Sequence, residues 1–276
     1  MDFTRRTSVS AAYSAVIGWG AARTLPARLR PFAYRAFARA VGANLDEAEL
    51  ELDEYPSFGD FFARRLRDGA RNVATERDAI IAPCDGVIAA RGTADEGTLV
   101  QAKGRFYQLA DLVADEEFAA RLTGGAYITI YLSPRDYHRV HTPVDARVVG
   151  YDYLPGTLWP VSPRVAARRD RLLVRNERVV IHLNSPGIGD VAVVMVGATG
   201  VGNITVTHGY GSASVRATGE RHRIELDDVS VERGDELGAF RLGSTVVLVF
   251  PPGAVELTGE ARQGKMLRFG EAIGRG

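Results

Sequence analysis

The chain has 276 residues, 46% of them apolar, enough for one large domain or two small ones around a buried core and too apolar for a disordered chain. Lys plus Arg equals Asp plus Glu at 34 each, so no global field draws it to nucleic acid, and surface attraction must come from local asymmetry. A single cysteine, Cys84, excludes an intramolecular disulfide and a Cys-based zinc cluster and reads as a small buried residue. Only Lys103 and Lys265 are available to anchor pyridoxal phosphate, so that cofactor is not expected.

The charge asymmetry lies at the start. Arg5, Arg6, Arg23, Arg28, Arg30, Arg35 and Arg39 face one acid, Asp2, before acids return at Asp46. Thr7 to Ala22 is uncharged, but it falls short of the roughly 20 residues that span a bilayer, and Thr7 and Ser8 spoil the Arg5-Arg6 pair as a twin-arginine export signal. After Pro26, helical spacing puts Phe32, Ala33, Ala36, Phe37, Ala40 and Val41 on one side and Arg28, Arg35 and Arg39 opposite, with Arg30 on the apolar side. Such a helix suits either the plane of an anionic membrane or packing on its own domain. The stretch Tyr55-Pro-Ser-Phe-Gly-Asp-Phe-Phe-Ala-Arg-Arg-Leu reads as a helix with Ser57 as N-cap and Phe58, Phe61, Phe62 and Leu66 as its stripe.

Beyond about residue 78 the texture becomes β-rich, with runs at Ala79 to Ala82, Tyr127 to Leu132, Arg178 to Leu183, Val191 to Val196, Ile204 to His208 and Thr245 to Phe250, separated by turn residues. The expected class is α+β, mainly β: an N-terminal helical membrane-associating segment over 1–75, then a β-barrel or sandwich-like catalytic domain over 76–276. There is no internal repeat and no phosphate loop between a strand and a helix.

Three places carry candidate chemistry: Asp85 in Pro83-Cys-Asp-Gly, His138 and His141 in Tyr137-His-Arg-Val-His-Thr-Pro, and Ser244 in Leu242-Gly-Ser-Thr. Taken singly, each reads as a turn, a satisfied polar residue or a strand entry. His138-x-x-His141 lacks the third ligand and helical context of a zinc site, and no metal is expected, although His182, His208 and His222 are distant candidates. Asp85, His141 and Ser244 also form the parts list of a nucleophilic triad. A serine hydrolase fits poorly, because the Gly-x-Ser-x-Gly elbow is incomplete and Ser244 feeds the strand-like Val246-Val-Leu-Val-Phe.

Together the motifs resemble the phosphatidylserine decarboxylase family, from about Tyr55 to the C-terminus. The likeness rests on Tyr55-Pro-Ser-Phe-Gly-Asp-Phe-Phe, Tyr137-His-Arg-Val-His-Thr-Pro-Val-Asp, Leu154-Pro-Gly-Thr-Leu-Trp-Pro-Val, Asn176-Glu-Arg-Val, Val196-Gly-Ala-Thr and Gly234-Asp-Glu-Leu-Gly-Ala-Phe-Arg-Leu-Gly-Ser-Thr, with departures at Gly200 and Asn203. The resemblance implies that Ser244 attacks the Gly243 carbonyl, cutting the precursor into a β chain 1–243 and an α chain 244–276, and that position 244 becomes a covalent pyruvoyl group. His141 would be the base for Ser244, with Asp85 holding its tautomer. A Schiff base between phosphatidylserine and the pyruvoyl would carry decarboxylation to phosphatidylethanolamine, and His138 would return a proton to the α-carbon. The implied setting is an anionic membrane met peripherally from the cytoplasmic face, with a homodimer as a further partner and no nucleic acid. A serine hydrolase using Asp85, His141 and Ser244 without self-cleavage, or a non-catalytic lipid-binding β-domain, are the other readings open at this point.

Overall fold

A computed structural model describes residues 23–198, 204–208, 220–241 and 244–276. Arg5, Arg6 and the run Thr7 to Ala22 lie outside the described residues, as do Gly200, Asn203 and Gly243.

Helix α1, Arg30–Val41, ends where Gly42 takes a φ of 76° and donates its N–H to the Ala38 carbonyl. Its inward line differs from the expected one, since Tyr34 and Ala38 are buried while Phe32 is 78% exposed. The cause is a second short helix, α2 (Phe58–Phe62), capped by Ser57 Oγ as the sequence predicts. Tyr34 stacks on Phe61 at 4.4 Å and 3°, and its hydroxyl donates to the Tyr55 carbonyl at 3.0 Å, so a ring with a polar tip takes the inner position. Phe37 meets Phe58 edge-on at 4.7 Å. Helix α1 thus packs on its own chain, leaving Leu29, Phe32 and the three expected arginines at the surface.

The β-rich part begins with β1 (Ala79–Ile81) and β2 (Gly86–Thr93) and the hairpin β3 (Thr98–Ala102) and β4 (Arg105–Gln108). Helices α3 (Leu109–Val113) and α4 (Glu116–Leu122) lead into β5 (Ala126–Leu132), β6 (Arg139–His141) and β7 (Ala146–Leu154). After α5 (Pro163–Ala166) and α6 (Leu172–Arg175) come β8 (Arg178–Ser185), β9 (Gly189–Gly197), β10 (Ile204–Val206), β11 (His222–Val231) and β12 (Glu236–Phe240). The chain closes with β13 (Ser244–Val249), β14 (Glu256–Leu257), β15 (Met266–Leu267) and β16 (Ala272–Arg275).

Eight of these strands form one sheet in the order β11-β7-β8-β9-β13-β5-β2-β15, antiparallel at every pairing. Its edges, β11 and β15, do not pair with each other, so the expected barrel is corrected to an open sheet. Both faces are covered, which gives the sandwich half of the expectation a different form. One face carries the small sheets β1-β16-β14 and β10-β12-β6, and the other carries the hairpin and helices α3 to α6. Burial on both sides explains why the central strands are apolar without alternation. Along β13, Val246 and Leu248 enter one core and Val247 and Val249 the other. At roughly 1.5–3 kcal/mol per buried aliphatic side chain, these four contribute about 6–12 kcal/mol before entropy is subtracted.

Candidate functional site

Ser244 opens β13 in the middle of the large sheet, opposite Leu132 of β5 on one side and Gly197 of β9 on the other. It is fully buried, and its Oγ has no hydrogen-bond partner among the described residues. Strand alternation puts its side chain in phase with Val246 and Leu248, on the face whose core includes Val140 of β6 and Phe240 of β12. Asn176 braces the position opposite: its Nδ2 donates to the carbonyls of Gly197 (2.9 Å) and Trp159 (2.8 Å).

The two histidines arrive on the turn after β5. Asp136 closes that turn by accepting from the Ser133 N–H and hydroxyl, both at 2.7 Å, and its carbonyl then accepts from His138 Nδ1 at 2.8 Å. A proton on Nδ1 leaves Nε2 as a lone pair, and that nitrogen is buried without a partner among the described residues. Phe62 lies against the ring at 4.1 Å. Burial lowers the His138 pKa to about 3, with the Asp136 carbonyl opposing the shift and the nearby Arg64 adding to it.

His141 is positioned by β6. Its Nδ1 donates to the Gly234 carbonyl at 2.7 Å, its Nε2 meets the Tyr137 hydroxyl at 2.9 Å, and Phe269 stacks on the ring at 3.8 Å. Gly234 has a φ of 97°, a left-handed conformation that any other residue adopts under strain, and its N–H is tied to the Thr142 carbonyl. Burial brings the His141 pKa to about 4, partly offset by the Gly234 carbonyl. Both imidazoles are therefore neutral at pH 7, with Nε2 as the basic atom.

Asp85 is placed otherwise than a triad orienter would be. Its Oδ1 accepts from Arg71 Nε at 3.1 Å and from the Phe269 N–H at 2.8 Å, and its Oδ2 accepts from Arg71 Nη2. The tautomer of His141 is held by the Gly234 carbonyl instead. The link between the two residues is indirect: Phe269 stacks on His141 while hydrogen-bonding Asp85, and the His141 N–H donates to the Pro83 carbonyl at 2.8 Å. Next to Asp85, a Cβ on Gly86 would lie 2.6 Å from the Tyr131 carbonyl oxygen, so glycine lets this loop press onto β5. Arg71 also holds Glu47 at 2.9 Å; burial works against its charge, but the two carboxylates outweigh it and raise its pKa. Cys84 is buried, with its thiol pushed up by burial.

Comparison with known proteins bears on the same stretch. A family model described as phosphatidylserine decarboxylase matches residues 58–275. The chain belongs to the phosphatidylserine decarboxylase family. It is 43% identical over 98% of its length to a phosphatidylserine decarboxylase proenzyme of Anaeromyxobacter sp. (strain K), covering 94% of that protein. It is 39% identical over 95% of its length to one of Myxococcus xanthus, covering 93%, and 41% identical over 82% of its length to one of Brevibacillus brevis, covering 81%.

Within this decarboxylase-family chain the sequence reading missed several residues that hold the site. Tyr137 and Gly234 stand inside the motifs that carried the resemblance, and Asn176 heads another, so motif membership was their signal. Arg71 and Phe269 had none, because both lie outside those motifs and reach Asp85, 14 and 184 residues away, only through the fold.

Proposed function

We propose that this chain is the precursor of a self-processing decarboxylase that converts phosphatidylserine to phosphatidylethanolamine and CO2, cut between Gly243 and Ser244. The observation that carries the proposal is the burial of Ser244 with an unpartnered Oγ. In the uncut chain the hydroxyl is fully buried from an external ester, whereas the carbonyl of the preceding residue is covalently adjacent, which disfavours the hydrolase reading; family membership disfavours a non-catalytic lipid-binding domain.

A neutral histidine Nε2 takes the Ser244 proton as Oγ attacks the Gly243 carbonyl, and return of that proton to the departing nitrogen turns the peptide bond into an ester. Loss of the Ser244 α-proton expels the Gly243 carboxylate, and water then replaces the nitrogen at position 244, releasing ammonia and leaving a ketone. Residue 244 fits a pyruvoyl group, since β5 and β9 grip its strand on both sides and hold the new α chain after the cut. When present, that group supplies a ketone that condenses with the substrate amine and takes up the electrons left by CO2.

We assign His141 as the processing base, steadied by Gly234 and, through Phe269, by Asp85. His138 is assigned to proton delivery at the α-carbon. A second assignment draws on one feature: Tyr137 occupies His141 Nε2 while His138 Nε2 is unpartnered, which makes His138 an alternative base for Ser244. The helical segment up to about residue 75 then serves membrane docking and the remainder catalysis. The arginines around the exposed Leu29 and Phe32 suit an anionic, cytoplasmic leaflet, approached peripherally, and among the described residues no helix is long and apolar enough to cross a membrane.

Intact-mass measurement under denaturing conditions tests the processing step. Wild-type protein is expected as two chains divided before residue 244, the smaller with a blocked N-terminus, and Ser244→Ala as one uncut, inactive chain. A single active wild-type chain with its serine intact would refute the proposal. In the same assay, an uncut His141→Ala beside a cut but slow His138→Ala supports the first assignment, and the reverse supports the second.

A further inference from the structure

A cavity of about 540 Å3 lies between the α2 segment and the small sheet β10-β12-β6. Four arginines line it: Arg64, Arg65, Arg139 and Arg241. Three of them are engaged. Arg139 Nη1 donates to both oxygens of Glu236 at 2.6 and 2.7 Å, Arg241 pairs with Asp60 at 2.9 Å, and the largely exposed Arg65 lies 3.7 Å from Glu236.

Arg64 differs. It is only 3% exposed, its guanidinium lies 5.5 Å from the Phe61 ring centre, and its Nε has no hydrogen-bond partner among the described residues. No carboxylate among the described residues stands within ion-pair distance of it. Burial pulls its pKa down, and the more distant Tyr55, Asp85 and Glu47 offset that only in part. A buried, unpaired cation is expensive to keep, and an anion entering the cavity would complete it.

The place where that anion would sit borders the proposed reaction centre. Phe62, two residues before Arg64 in the same segment, lies against His138, whose carbonyl accepts from the Phe240 N–H at 2.9 Å. Arg241, on the cavity wall, is two residues before Gly243. A serine phospholipid offers two anions. Its carboxylate loses charge as CO2 departs, so a guanidinium bound there would favour the ground state over the transition state and slow the reaction. Its phosphodiester keeps one negative charge throughout, and the planar fork of arginine matches two phosphate oxygens.

The geometry points to Arg64 as the residue that anchors the substrate phosphodiester, selecting a serine phospholipid over free serine. This assignment rests on the decarboxylase reading. A phosphate on Arg64 would also relieve the cation's pressure on His138, letting that imidazole hold a proton when one is to be delivered.

The test compares wild-type, Arg64→Gln and Arg64→Lys proteins, each checked for splitting by intact mass. Binding is titrated by NMR with glycerophosphocholine, which has a phosphodiester but no carboxylate and no primary amine, and separately with free serine. Wild-type protein should bind glycerophosphocholine saturably, with about tenfold weaker binding in Arg64→Gln, an intermediate loss in Arg64→Lys and little change for serine. With dioctanoyl phosphatidylserine, KM should rise about tenfold in Arg64→Gln while kcat stays within about threefold. Equal glycerophosphocholine binding by all three proteins overturns the assignment, as does no binding by wild type or a loss confined to serine. A lowered kcat with a displaced pH profile at unchanged KM would instead make Arg64 a positioning residue for His138. If Arg64→Gln fails to fold, Arg64→Lys decides by the same criteria. Wild-type protein that binds glycerophosphocholine through Arg64 yet neither splits nor decarboxylates would sink the decarboxylase reading and leave the anion site standing.

Discussion

Two neutral histidines inside the core make the precursor acid-sensitive in a way that can be isolated. An unfolded histidine titrates near 6.5, whereas burial holds His138 at about 3 and His141 at about 4. Because the folded values are depressed, the unfolded chain takes up protons first. The stabilisation is fully present above pH 6.5 and is lost as pH falls from there toward the folded values. Between those limits each histidine changes stability by about 1.4 kcal/mol per pH unit, which amounts to about 2.5 kcal/mol each from pH 7.5 to 4.5. Glu47, held by Arg71, and Asp115, held by the Phe118 N–H and Arg223, keep lowered pKa values against burial and lose stabilisation in the same direction, so the total fall alone proves nothing. The deciding comparison is urea unfolding of the uncut Ser244→Ala chain with and without His138→Gln, at pH 7.5, 6.0 and 4.5. Removing His138 should flatten the decline by about 2.5 kcal/mol across that range. Parallel curves for the two proteins would show that His138 is not held neutral, and the proton inventory of the site would have to be redrawn.

Arg71→Ala strands the Asp85 carboxylate, whose side chain is only 9% exposed, and should cost about 3–5 kcal/mol and lower Tm by about 6–15 °C. Adding Asp85→Asn should recover part of that loss, and additive effects in the double variant would refute a coupled buried pair. Leu29→Asp with Phe32→Asp should weaken binding to vesicles containing phosphatidylglycerol by about tenfold in a flotation assay without altering processing. Undiminished flotation would move the membrane contact elsewhere.

Several strands were legible because their signal is local. The run expected from Thr245 to Phe250 appears as Ser244–Val249, and that from Val191 to Val196 within Gly189–Gly197. The Ser57 cap was equally legible, being a contact between residues three apart. Helix α1 was legible only in part, since Ala33 and Phe37 pack inward as expected while Phe32 does not: a wheel ranks residues by apolarity, whereas Tyr34 is inside because Phe61 and the Tyr55 carbonyl receive it. Barrel closure had no local signal either, since it depends on whether the two outermost strands meet, and here β11 and β15 do not.

The same division runs through the site. Sequence alone singled out Asp85, His138, His141 and Ser244, because their residue types and neighbouring motifs are written along the chain. Only the tertiary structure decided their partners: the Gly234 carbonyl rather than Asp85 on His141 Nδ1, Arg71 on Asp85, and, among the described residues, no partner for Ser244 Oγ or for Arg64 Nε. A side chain's chemistry is a property of its residue, but its protonation, tautomer and reach are set by burial and by atoms that folding brings from distant parts of the chain.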